Sequence, residues 1–329
     1  MITVIGSLNY DLVTFTKRVP EAGETIQGDL FEEHLGGKGM NECVAVVSLI
    51  HSELRKHIRM WGRVGDDRQG QMFLDKLHSL NVDTSSVKTL PNTRSGSATI
   101  MVEELTGENR IIIIGGANSQ LRPTEDELRA SFPSDSSEKQ FVVLQNEFPD
   151  PLYVINWLGD NRPNVTTFYN PSPLKKELLK MEILNKVEYL VVNRGEAWGL
   201  IGESAKGAQG AQGAQGAEGA NDNELVISML RSFLDKPTLI ITLGSKGCIF
   251  NQPTMDPKSY HFVPSRKVSN VVDTTGAGDT FLGGTVAELY SGASLKDALN
   301  FATAASSLAI QKKGAVEGIP KYANVKNIM

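Results

Sequence analysis

Near the carboxyl end of the chain, the nine residues DTTGAGDTF (Asp273–Phe281) set two aspartates around two glycines, immediately before the apolar run LGGTVAELY. The pattern predicts a bare turn opening a helix, with Phe281, Leu282, Val286 and Leu289 able to face a sheet. The first amides of such a helix lack intrahelical partners, and the aligned peptide dipoles make that end electropositive. Gly276, Ala277 and Gly278 keep side chains out of the way, so their N–H groups can close around a phosphate or a developing transition-state charge. Asp279 then has two readings. As a helix cap it satisfies orphan amides, the ordinary use of an aspartate at that place. As a base it takes the proton of a hydroxyl that attacks a transferred phosphoryl group, which gives a carboxylate work to do beside an anion. Other phosphate and nucleophile motifs are absent: there is no G-x-x-x-x-G-K-[ST], H-R-D, D-F-G or G-x-S-x-G, and a G-x-G-x-x-G starting at Gly276 has Phe281 in its third glycine position.

Such a site needs rigid walls. Short β-branched runs, ITVIG, RMWGRVG, FVVLQ, VTTFY, YLVVN and LIITLG, read as strands, several of them apolar on both faces as buried parallel strands are. Helical patterns lie between them at Met40–Ile50, Gln69–Leu80, Asp150–Leu158 and Asn223–Leu234. This order predicts an α/β fold, a doubly wound, mostly parallel sheet flanked by helices in a single domain over 1–329. Two stretches depart from it: Gly23–Gly37 and Ser95–Asn118 look like paired short strands. They form either a small β lid, over about 11–36 and 95–117, or edge strands of the main sheet. From Gly207 the chain reads GAQGAQGAQGAEGAN, too few triplets and no proline for a collagen helix, so 205–221 is expected to be a flexible surface loop.

The motif DTTGAGDTF resembles the carboxyl-terminal signature of the ribokinase, or PfkB, family of sugar and nucleoside kinases. GSLNYDL and GGKGMNECVA resemble that family's sugar-binding segments, in the same order and spacing, and the resemblance spans nearly the whole chain outside the glycine repeat. It implies phosphorylation of D-ribose at O5 by ATP, with Asp279 as catalytic base and Gly276, Ala277 and Gly278 as the anion hole. It also implies a sugar site built from Asn9, Asp11, Gly37, Lys38, Gly39, Met40, Asn41, Glu147 and Asp279. Each has a plainer alternative: an Asx turn for Asn9 and Asp11, a glycine-rich turn before a helix for GGKGMN, and a solvated loop carboxylate for Glu147.

On the nucleotide side, the resemblance assigns Asn193 and Glu196 to Mg²⁺ and the nucleotide phosphates, although their spacing also suits a capping box. Thr242, Leu243, Gly244, Ser245, Lys246 and Gly247 resemble the loop that holds the nucleotide, or else turn the chain into a hairpin. They follow a strand at the edge where α/β sheets tend to place ligands. Gly278 and Asp279 complete the phosphate end. Thr303 stands where bacterial relatives have a histidine against the adenine. A K⁺ site is implied at Asp273, Thr275, Ala309, Lys312, Gly314 and Gly318, with Gly318 in place of the expected serine. The resemblance further implies a homodimer formed through the lid. Competing readings are a sibling kinase acting on adenosine or another sugar, and a catalytically silent sugar-binding regulator.

Composition agrees with a small-molecule partner. The 329 residues are 40% hydrophobic and 22% charged, with a net charge of -5, which gives no overall attraction to nucleic acid or to anionic lipid. No apolar run approaches the ~18 residues of a membrane span. Cys43 and Cys248, far apart and flanked by apolar residues, are expected to be inert buried thiols in a reducing compartment, the cytoplasm or also the nucleus. His34, His51, His57, His78 and His261 show no pairing at metal-ligand spacing.

Overall fold

The computed structural model describes residues 1–106, 108–204 and 220–329. The glycine repeat lies outside the described residues, apart from positions 220 and 221, which open a helix. The chain begins β1 (Ile2–Ile5), β2 (Asn9–Thr16), β3 (Leu30–Gly36), α1 (Lys38–Leu49), β4 (Ile58–Gly65) and α2 (Arg68–Ser79). It continues through β5 (Asp83–Leu90), β6 (Gly96–Glu103), β7 (Asn109–Ile114), α3 (Glu125–Ser131), β8 (Gln140–Gln145) and α4 (Pro151–Asn161). Then come β9 (Val165–Asn170), α5 (Met181–Leu184), β10 (Tyr189–Asn193), α6 (Arg194–Ser204), α7 (Ala220–Arg231) and β11 (Thr238–Thr242). The last elements are β12 (Gly247–Asn251), β13 (His261–Pro264), α8 (Ala277–Tyr290), α9 (Leu295–Ala309) and α10 (Tyr322–Lys326).

Nine strands form the main sheet in the order β13-β12-β11-β10-β9-β8-β1-β4-β5. From β11 to β5 every pairing is parallel, and β12 and β13 add an antiparallel edge. The β-branched runs are apolar on both faces because both faces are covered. Ile2, Val4 and Val143 belong to one core with α1, α8 and α9, while Ile5, Val142 and Leu144 belong to a second core on the α4 and α7 side. Fully burying one such side chain stabilises the fold by about 1.5–3 kcal/mol.

The stretches that broke the alternation form a separate sheet, ordered β3-β2-β6-β7, rather than edge strands of the main one. Asn9 and Asp11 lie inside its strand β2, not in an Asx turn closing β1. Asn and Asp in NYDLVTFT read as turn-formers locally, but pairing with β3 on one side and β6 on the other holds them extended. Cys43 and Cys248 are buried and unpaired, and burial pushes both thiols up to about 12. No helix among the described residues is long and apolar enough to cross a membrane.

Candidate active site

The site gathers at the carboxyl ends of the parallel strands. There the segments after β1, β8, β10 and β11 meet the amino-terminal turns of α1 and α8. Helix α8 starts at Gly276, whose φ of 74° is left-handed, and a Cβ there would lie 2.9 Å from the backbone of Ala315. Only glycine fits without strain. No side chain caps α8. Asp279 therefore does not perform the commonplace role open to it. It is 6% exposed, and its carboxylate accepts hydrogen bonds from Lys38 Nζ at 3.2 Å and from Asn41 Nδ2 at 2.9 Å, across from α8 to α1.

Helix α1 is placed by the preceding glycines. Gly37 has a φ of 88°, and a Cβ on it would come within 2.7 Å of the Asn9 nitrogen. The Met40 N–H donates to Ser7 O at 2.9 Å and the Lys38 N–H to Glu147 Oε2 at 2.9 Å, which fastens the turn to the ends of β1 and β8. Glu147 is thus no solvated loop carboxylate: Oε2 also accepts from Ser7 Oγ at 2.5 Å and from Asn9 Nδ2 at 3.4 Å. Asn118, buried and absent from the sequence-based site, holds Asn9 Oδ1 at 2.9 Å and the Leu8 backbone. Ser7 was likewise missed, although it stands inside GSLNYDL. Met40 is fully buried in the core, so it offers a ligand no side chain. Asn41 Oδ1 is buried with no partner among the described residues, an acceptor that a ligand hydroxyl would satisfy.

Electrostatics follow from crowding carboxylates around one ammonium. Burial alone would lower the Lys38 pKa, but the acidic groups around it, Asp279 foremost, outweigh it and hold Lys38 charged. Asp11 goes the other way: burial first, then the Glu147 charge, raises it to about 7. The native state therefore binds this proton more tightly than the unfolded chain, where an aspartate titrates near 3.8. Its contribution to stability is intact below about pH 4, declines as pH rises, and is gone above about pH 7. Without ligand, Asp11→Asn is expected to be more stable than wild type at pH 8 by a few kcal/mol, since each tenfold difference in proton affinity is worth ~1.4 kcal/mol. At pH 4 the two should match. Urea unfolding at both pH values checks this; an equal gap at both would contradict it.

A cavity of about 690 Å³ opens on the other side of the first turn of α8. Thr242, Gly244, Ser245, Lys246 and Gly247 line it from the β11–β12 turn, Ala277 and Gly278 from α8, and Thr303 from α9. The turn is a hairpin and a cavity wall at once, so both readings of TLGSKG hold geometrically. Leu243 is the exception, packing against the second core instead of lining the cavity. Ala277 already donates its N–H to Thr274 O at 3.2 Å, a bond it must share or release before meeting an anion. Sequence reasoning missed Arg266, Lys267, Val268 and Val271 as walls. The adjacent Arg–Lys pair followed by exposed valines was the available signal: Val271 and Val272 are 54% and 51% exposed.

Asn193 and Glu196 make the reciprocal capping box at α6, both bonds 2.8 Å, and Asn193 is paired in register with the cavity residue Thr242. Asp273, Thr275, Lys312, Gly314 and Gly318 lie in loops beside the starts and ends of α8 and α9, next to Ala309, the last residue of α9. Asp273 accepts from the Thr275 and Gly314 amides at 2.9 Å each. Burial would raise its pKa, but those hydrogen bonds prevail and lower it. The Ala309 and Gly314 carbonyl oxygens lie 2.9 and 2.8 Å from where a Gly318 Cβ would be. Such hard oxygen donors suit an alkali cation.

Residues 1–322 match the pfkB family carbohydrate kinases. The chain belongs to this family. The ribokinase of Lactococcus lactis is 36% identical over 99% of this chain and 95% of its own. A deoxyribokinase of Salmonella typhi is 31% identical over 97% of this chain and 95% of its own. The solved structure of Arabidopsis thaliana ribokinase complexed with ribose and ATP superposes with a TM-score of 0.81 at 26% identity, covering 99% of this chain and 97% of that one. The nine-stranded sheet and its small companion are thus the ribokinase-like architecture, and the chain is a carbohydrate kinase.

Proposed function

We propose that the chain transfers the terminal phosphoryl group of ATP to O5 of D-ribose, giving ribose 5-phosphate and ADP. The observation that carries this reading is Asp279: a buried carboxylate, free of capping duty, between a polar pocket and a nucleotide-sized cavity. The O5–P bond forms as the bond from phosphorus to the β,γ-bridging oxygen breaks, and the O5 proton passes to Asp279. An alcohol is a poor acid, so Asp279 acts mainly by orienting the hydroxyl and takes its proton late. Lys38 and Asn41 fix the carboxylate, while the amides of the Gly276–Gly278 turn face the charge on the transferred group.

Asp11, Asn9, Asn41 and Glu147 offer acceptors and amides suited to vicinal hydroxyls. Asn193 and Glu196, oxygen donors one strand from the cavity, suit a Mg²⁺ held through retained waters, which would neutralise phosphate charge when bound. The loop cluster around Asp273 would hold K⁺ and steady the start of α8. The small sheet would close over the sugar and exclude water. Its edge strand β7 exposes Ile111–Ile114, each at 51–67%, which supports pairing with a second copy; sedimentation showing a monomer at assay concentration would remove that part.

The deoxyribokinase relative makes 2-deoxyribose the rival substrate, and the decisive assay is ADP release with ribose, 2-deoxyribose, adenosine and fructose, with and without K⁺. A site built to bind a hydroxyl rejects the analogue lacking it, so kcat/KM for ribose should exceed that for 2-deoxyribose by at least about 100-fold. Equal rates would reassign the substrate. No sugar-dependent ADP release at all would favour a sugar-binding regulator.

A further inference from the structure

Glu42 lies in α1 one residue beyond Asn41, is 0% exposed, and accepts a hydrogen bond from Gln145 Nε2 at 2.5 Å through Oε2. Gln145 is the last residue of β8, two before Glu147. Two buried oxygens here have no partner among the described residues: Glu42 Oε1 and Gln145 Oε1. They belong to the two groups already joined by the Nε2–Oε2 bond. Two bare acceptors on such a pair are a double penalty, at about 1–3 kcal/mol for each unsatisfied group. One proton removes both penalties, because a carboxylic acid and a primary amide are complementary, each with one donor and one acceptor on the facing edge.

We infer that Glu42 is a neutral acid whose Oε1–H donates to Gln145 Oε1, closing a cyclic acid–amide pair that positions α1 against β8. The pair sets the distance between the α1 groups Lys38 and Asn41, which hold Asp279, and the Glu147 carboxylate that follows β8. The charged groups around Glu42 favour the same state. Asp279 from α8 and Glu147 from beyond β8 oppose a further negative charge, and only Lys38 within α1 favours one. Burial is the largest contribution, and the balance raises the Glu42 pKa well above the ordinary carboxylate value. The neighbouring Cys43 thiol is itself pushed up by burial, so it stays neutral and adds no charge beside Glu42. A neutral Glu42 leaves the Lys38 ammonium to Asp279 and the incoming phosphate, where a third ionised carboxylate would compete for it.

This deepens the proposed kinase function and rests on it, but the first test does not. An infrared difference spectrum of wild type minus Glu42→Gln, in full-length unliganded protein at pH 7, should show a carboxylic-acid C=O band lost in the variant. A carboxylate band in its place overturns the assignment, whether or not ribose is the substrate. The second test uses whichever sugar is turned over. Glu42→Gln preserves a cyclic amide–amide pair, so its sugar KM should stay within about twofold of wild type. Glu42→Leu breaks the pair and should raise KM about tenfold, the usual cost of one buried hydrogen bond. A KM in Glu42→Gln as high as in Glu42→Leu overturns the positioning role. If Glu42→Leu does not fold, Gln145→Met serves as the broken pair.

Discussion

Asp279→Asn is expected to lower kcat by about 10²–10⁴-fold, the range associated with a positioned general base, while the sugar dissociation constant changes by no more than a few-fold. Asparagine has the same shape, and its carbonyl oxygen can still accept from Asn41 or Lys38, so the pocket keeps its form. What it loses is the ability to take a proton, along with the charge that holds Lys38. Because only the reacting step needs the proton, the loss falls on kcat rather than on binding. Steady-state ADP release and calorimetric titration with ribose separate the two quantities. Turnover unchanged by the substitution would remove Asp279 from the chemistry and return it to a structural role linking α8 to α1.

The second large effect is expected at Gly276. Alanine there must adopt a left-handed backbone, at about 1–2 kcal/mol, and its Cβ would meet the Ala315 Cα and O at 2.9 Å. Backbone atoms do not give way as a flexible side chain does, so the turn must move. Moving it displaces the amides proposed to face the transferred group, and losing one such donor costs about 10²–10³ in kcat. Sugar affinity, which the proposed site assigns to groups on α1, β2 and the segment after β8, should remain. A Gly276→Ala protein that folds by circular dichroism and turns over at the wild-type rate would show that this turn does not form the anion hole. The opposite pattern, weakened sugar binding with kcat kept, would relocate its influence to the other side of α8.

Both predictions rest on a geometry only partly visible in the linear order of residues. The parallel sheet was legible because buried strands need apolar residues on both faces, and runs such as YLVVN and FVVLQ carry that requirement locally. The start of α8 was legible because a left-handed turn demands glycine. The start of strand β2 was not: Asn9 and Asp11 are turn-forming types, and their extended form comes from partners in Leu30–Gly36 and Gly96–Glu103. The cavity wall at Arg266–Val271 was likewise hidden, since a segment without regular structure has no periodicity to reveal what it faces.

The sequence alone determined the class of chemistry, because bare amides at a helix start and one acidic residue among them are properties of consecutive residues. It left Asp279 divided between capping a helix and accepting a proton, since both uses begin from the same spacing. Tertiary structure withdrew it from the cap and brought Lys38 and Asn41, more than 200 positions away, onto the two carboxylate oxygens, the arrangement on which the proposed base rests. It likewise faced Glu42 with Gln145 from another element. The physical reason is common to both: a carboxylate's role is fixed by the donors within hydrogen-bond reach, and those donors come from chain segments that only the fold brings near.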